Sequence, residues 1–172
     1  MKAIELKHPL VEHKLAILRD KKTGTKEFRE IVSELATMLC YEAMKDAEMH
    51  EVEIETPIQK MKTRKIDENN YAFVPILRAG TGMLDGIISV MPNAKIGHIG
   101  MYRNEETFKP TVYFFKVPKD INKREVLIID PTYTQPLHRQ MLCRLPYQYL
   151  RPRLPDTSAS ADPPGHGQRK NR

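Results

Sequence analysis

Three residues in this sequence have the type and setting to handle a charged small molecule. Arg78 opens Arg78-Ala79-Gly80-Thr81-Gly82 directly after an apolar run. Glycines in such a turn let backbone N–H groups approach a phosphate, and an arginine adds a forked donor. The same residues would also make an ordinary strand-to-helix turn with a surface arginine. Arg103 follows a second apolar stretch and precedes Asn104, Glu105 and Glu106, with which it could simply pair in its loop. Asp130 ends a third apolar stretch, where a carboxylate can accept from a sugar diol or hold Mg²⁺ through water, or merely cap a turn. No Walker-type Gly-Lys-Ser/Thr and no G-x-S-x-G elbow accompanies them.

Other chemistry is poorly supplied. The six histidines are dispersed, and His8 and His13 are five apart, so no metal-ligand spacing arises. Cys40 falls at the end of an apolar helical stripe and reads as core, while Cys143 is far away in the sequence. Two cysteines make no disulfide framework and point to a reducing, cytoplasmic setting. Asp85 reads as a first-turn helix charge.

The elements that must position Arg78, Arg103 and Asp130 follow a βαβ rhythm. Val11, Leu15 and Leu18 recur at helical spacing. Thr25 is expected to cap a second helix, with Phe28, Ile31, Leu35 and Leu39 as its buried stripe. Glu51–Ile58 alternates like a half-buried strand. Tyr71–Leu77 is continuously apolar, as in a central strand, although Pro75 cannot donate to a ladder. A helix over Met83–Met91 and strands over Lys95–Tyr102, Thr111–Val117 and Glu125–Ile129 complete the pattern. The fold class expected is α/β, a mostly parallel sheet flanked by helices. Ligands bind at the carboxyl ends of such strands, where the three residues fall.

Composition breaks near Asp130. Of 172 residues, 28 are Lys or Arg and 22 Asp or Glu, yet residues 131–172 hold seven of the bases and two of the acids. The preceding body is close to neutral, which argues against nucleic-acid binding there. The same tail holds seven of the 13 prolines. Two domains of the sequence are expected: residues 1–131, and a Pro/Arg-rich tail, 132–172, largely disordered, with a short helix over 137–144. No apolar run approaches the ~20 residues of a membrane span, so no membrane partner is expected.

The stretch VPILRAGTGMLDG (74–86) resembles the uracil phosphoribosyltransferases, a branch of the type I phosphoribosyltransferase fold. HPLVEHKLAILRDKKTGTKEFRE (8–30), ETPI (55–58), IGHIGMYRNEETFKP (96–110) and VLIIDP (126–131) extend the resemblance, in order, over about residues 8–131. The family makes UMP and pyrophosphate from uracil and PRPP with Mg²⁺, in pyrimidine salvage. The resemblance implies PRPP contacts at Arg78, Arg103, Asp130 and Pro131, a pyrophosphate loop at Ala79 and Gly80, and an indirect metal role for Asp130. It also implies a homo-oligomer and a GTP effector.

The resemblance stops after about residue 131. The family continues with a Thr-Gly loop that cradles the 5-phosphate and later with a hood over uracil. Here the next glycine after Gly100 is Gly165. A frameshift, retained intron or alternative exon would produce this pattern. The expected fold is therefore incomplete at its C-terminus. The strand at 125–130 is expected to lack its outer neighbour and helical cover, and the isolated chain to be unstable or partner-dependent. The alternative function is that of a catalytically impaired homologue that only binds or oligomerises.

Overall fold

A computed structural model describes residues 5–103, 106, 110–131 and 141–146. Helix α1 (Pro9–Arg19) starts with Pro9 in its first turn, and the His8 ring accepts from Leu10 N–H at 3.1 Å. Helix α2 (Thr25–Ala43) begins at Thr25, with Gly24 rather than Thr25 as its cap. Val11, Ile31 and Leu35 join the two helices. Phe28 departs from the expected stripe and is exposed, because it lies a turn before the stretch of α2 that the sheet covers.

A hairpin follows. Strand β1 (Met49–Glu55) and strand β2 (Lys60–Ile66) pair antiparallel as a separate two-stranded sheet. Thr56 closes the turn between them, its N–H and hydroxyl both donating to the Gln59 carbonyl. The expected strand over Glu51–Ile58 is thus shifted, with Pro57 and Ile58 in the turn.

The main sheet has β3 (Tyr71–Leu77) at its centre. After β3 come a 3-10 turn (Ala79–Met83) and a short helix, α3 (Leu84–Ile88). The expected helix over 83–91 is therefore tightened at its start and cut to five helical residues. Strands β4 (Lys95–Ile96), β5 (His98–Arg103), β6 (Pro110–Lys116), β7 (Glu125–Asp130) and β8 (Met141–Pro146) complete the sheet. Its order is β6-β5-β3-β7-β8, with β4 beside β3. Strands β4, β5 and β7 run parallel to β3, whereas β6 and β8 are antiparallel additions at the two edges. It is an α/β fold with a parallel centre.

Pro75 fits within β3 for a specific reason. Gly97 N–H donates to the Phe73 carbonyl, so Phe73 aims its backbone groups toward β4 and β5. Pro75, two residues on, aims the same way. On that side the ladder pauses between Phe73↔Ile96 and Ile76↔Ile99. The missing donor falls in the pause.

Phe73, Leu127 and Ile129 pack beneath α2 and α3 with Ala36, Cys40, Met83 and Ile87. A Cβ on Gly86 would meet the Ser33 carbonyl oxygen at 2.0 Å, so only glycine lets α3 approach α2 this closely. Thr37 Oγ1 donates across that contact to the Gly86 carbonyl at 3.0 Å. Ala72, Val74, Val126 and Ile99 form the core on the opposite face.

Two expectations for the region after β7 are corrected. Its outer edge is not bare: β8 pairs along its whole length, from Glu125↔Pro146 to Asp130↔Met141. Met141–Pro146 is a strand, so the helix expected over 137–144 does not cover these residues. A short, mostly apolar stretch ending in Pro146 can pair at a sheet edge, where proline is tolerated. On the second face of β7, Val126 is buried and Ile128 half-buried in a cluster with Ile121 and neighbouring strand residues, with no α-helical residue among the described residues of that cluster. The rest of the expected tail, 132–140 and 147–172, lies outside the described residues.

Candidate functional site

Three parallel strands, β5, β3 and β7, end at one edge of the sheet. Arg78 directly follows β3, Arg103 is the last residue of β5, and Asp130 is the last residue of β7. Leu77 is level with Gly100, so Arg78 stands beside Met101, two residues short of Arg103. Pro75 is level with Ile129, so Asp130 stands beside Ile76 and Pro131 beside Leu77. Adjacent strands are about 4.8 Å apart. Arg103 and Asp130 thus lie on the strands to either side of β3, Arg103 two residues beyond the level of Arg78 and Asp130 two residues short of it. Each of the three stands at the carboxyl end of its strand, the position expected from the sequence.

The turn after β3 is shaped by two contacts. The Leu77–Arg78 peptide bond is cis. Gly80 is buried, and a Cβ on it would lie 2.4 Å from the Ile129 carbonyl oxygen and 3.1 Å from Pro75 Cβ. Gly80 thus lets the turn fold down across the ends of β3 and β7, one residue from Asp130. The second contact is at Thr81, whose N–H and hydroxyl both donate to the Arg78 carbonyl, at 3.2 and 2.8 Å. Pattern reading of the sequence gave Thr81 no role, although a hydroxyl between two glycines of a turn was the available signal. Arg78 and Ala79 are exposed, while Asp130 and Pro131 are half-buried.

On the other flank, the β5–β6 register shifts between Gly100 and Met101. The Tyr113 ring lies over Gly100, where a Cβ would meet its Cζ at 2.6 Å. The Tyr102 and Tyr113 ring centroids are 6.1 Å apart. The extra residue of this bulge is Tyr113 on β6, opposite the Gly100–Met101 step of β5. At the far end of β7, Arg124 Nε donates to Asp120 Oδ1 at 3.1 Å. That bond holds the Asp120 carboxyl below its ordinary range.

The ends of the three strands carry residues of both charges, Arg78, Arg103 and Asp130. Arginines there suit phosphate oxygens, and a strand-end carboxylate suits hydroxyls or a hydrated cation. Among the described residues no group of three or more His, Cys, Asp or Glu could hold a metal ion. Asp85 is exposed in the first turn of α3, as expected. Cys40 is buried in the core, and its thiol is pushed up to about 11 by that burial. Cys143 lies in β8. No described helix is long and apolar enough to cross a membrane.

A parallel strand core with a glycine turn after its central strand, and an aspartate ending the neighbouring strand, defines an α/β fold of the type I phosphoribosyltransferase kind. A solved structure of a protein from Aquifex aeolicus superposes with a TM-score of 0.70 at 41% identity, covering 74% of this chain and 61% of that one. The family model for uracil phosphoribosyltransferase matches residues 5–135. The chain belongs to the uracil phosphoribosyltransferase family. Similar curated relatives include uracil phosphoribosyltransferases of Clostridium botulinum (strain Eklund 17B / Type B), 56% identical, and Clostridioides difficile (strain 630), 50% identical. Each match extends over 130 residues, covering 76% of this chain and 62% of the relative. The chain thus spans about three fifths of the length of these relatives.

Proposed function

We propose that this chain takes part in phosphoribosyl transfer from PRPP to uracil, giving UMP and pyrophosphate in pyrimidine salvage. The observation that carries the reading is that Arg78, Arg103 and Asp130 stand at the carboxyl ends of three neighbouring parallel strands, within the stretch that matches the family. In this reading Arg78 and Arg103 neutralise the diphosphate as it leaves. Ala79 and Gly80 form the pyrophosphate loop, and Asp130 accepts from the ribose hydroxyls with Pro131 turning the chain beside it. The sugar passes through an oxocarbenium-like state, so these residues work by charge and positioning and none is a nucleophile.

Mg²⁺ belongs to the proposal as a companion of the substrate. One carboxylate fits a cation whose remaining ligands are phosphate oxygens and water, and it does not make a protein cage. When bound, the ion would add positive charge at the leaving pyrophosphate. Asp130 would hold it indirectly.

We also propose residues 1–131 as the phosphoribosyltransferase-like unit and 132–172 as a divergent tail outside it. A cytoplasmic location and a GTP effector rest on the resemblance and on cysteine usage alone. A homo-oligomer has further support in the β1–β2 hairpin. Val52, Ile54 and Met61 share one face of it, Ile58 at its tip is 93% exposed, and Met61 is 43% exposed. A two-stranded sheet is marginal in water without a covered apolar face.

A second reading is favoured by one observation. After Gly100 no glycine occurs before Gly165, so the stretch after Asp130 lacks the residue that a phosphate-cradling backbone loop uses. On that reading the chain is a catalytically impaired homologue that binds or oligomerises. An assay of radiolabelled uracil converted to UMP with PRPP and Mg²⁺, run beside Arg78→Ala, separates the two. Turnover lost in Arg78→Ala supports the enzyme; no turnover in either protein supports the second reading.

A further inference from the structure

Thr81 makes a bond that the turn does not need in order to close. Its N–H already donates to the Arg78 carbonyl at 3.2 Å, which completes the turn. Its hydroxyl adds a second donor to the same oxygen at 2.8 Å. The residue is exposed, so this bond buries nothing. Two donors on one carbonyl fix the plane of the Arg78–Ala79 peptide. That peptide carries the Ala79 N–H and is attached to the α-carbon from which the Arg78 side chain departs. On its other side the turn is wedged by Gly80 between Pro75 and the Ile129 carbonyl. The Arg78–Ala79 peptide is thereby held from both ends, one by packing and one by the Thr81 side chain.

We infer that Thr81 is a positioning residue for diphosphate recognition, its hydroxyl holding the Arg78–Ala79 peptide in the orientation that presents the arginine and the adjacent N–H to a diphosphate. The inference rests on the phosphoribosyl-transfer reading and deepens it. The ligand class is a diphosphate group, whether free or esterified to a sugar. A valine has the same branched shape without the donor, and a serine keeps the donor without the methyl group.

Inorganic pyrophosphate is titrated, with and without Mg²⁺, into the full chain and into T81V and T81S by calorimetry, with a thermal melt of each. The expected result is a Kd for pyrophosphate weakened about three- to tenfold in T81V, the weight of one hydrogen bond. T81S should return to within about twofold of the unsubstituted chain, and all three should melt alike, as surface substitutions do. Equal binding by T81V and the unsubstituted chain overturns the inference and leaves the functional reading standing. So does a loss in T81V that T81S shares or that comes with a lower melting temperature. Absence of pyrophosphate binding by the unsubstituted chain overturns the functional reading itself, and this inference with it.

Discussion

Gly80 lies against the Ile129 carbonyl oxygen so closely that a Cβ would stand 2.4 Å from it. This contact joins the turn after the central strand to the neighbouring strand one residue before Asp130. Gly80→Ala must push backbone against backbone, because the atom in the way is not a flexible side-chain tip. We expect a loss of about 1–3 kcal/mol in stability, as for overpacking elsewhere. Pyrophosphate binding should weaken in parallel. Chemical denaturation and calorimetry on the variant check both.

Arg78 is exposed and follows the sheet rather than packing within it. Arg78→Ala should leave the denaturation midpoint within the scatter of a surface change, about 0.5 kcal/mol. Activity should fall by about 10²–10³, the scale of losing one preorganised donor to developing charge. A stability loss matching the activity loss would assign Arg78 to structure instead.

The hairpin of β1 and β2 divides its residues by face. Val52 and Ile54 are half-buried on one face. On the other, Glu51 faces Arg64 and Glu53 faces Lys62, with Lys62 Nζ 2.9 Å from Glu51 Oε1. Ile54→Lys places a charge on the apolar face. Light scattering after size exclusion should show a smaller assembly than the unsubstituted chain, with far-UV circular dichroism unchanged.

Cys40 gives a pH signature. Burial raises its thiol to about 11 from an ordinary 9.0, because the interior disfavours the thiolate. Below pH 9 the thiol is protonated in both the folded and the unfolded chain, and its contribution is fully present. Between about 9 and 11 the unfolded chain ionises first, so stability falls as pH rises. Denaturation curves across this range should lose stability, and Cys40→Ala should lack that step. The same burial predicts a thiol inert to alkylation at pH 8 until the chain unfolds.

The parts legible in the sequence were those whose physics is local. Tyr71–Leu77 is apolar on both faces and could be little else than a central strand, and both its bounds were found. Asp130 was placed correctly because a charge ended an apolar run. Lys60–Ile66 was missed: its residues are mostly cationic and become a strand through Glu51, Glu53 and Glu55 opposite them, a partnership that periodicity does not carry. Gly97 divides the stretch 95–102 into β4 and β5, and only the pairing to β3 reveals the break. Met141–Pro146 was obscured by proline and arginine, and its strand depends on the edge that β7 offers. At the site, the strand-end positions of Arg78, Arg103 and Asp130 were readable, whereas the Thr81 hydroxyl bond and the Gly80 wedge are three-dimensional facts.

Equilibrium binding of PRPP to the full chain, in Mg²⁺ buffer, probes the cradle at the strand ends without requiring turnover. Saturable binding is expected at one site, weakened at least tenfold in each of Arg78→Ala, Arg103→Ala and Asp130→Asn. Binding of undiminished strength in all three variants, or none in the unsubstituted chain, would contradict a phosphoribosyl diphosphate site at the ends of β3, β5 and β7.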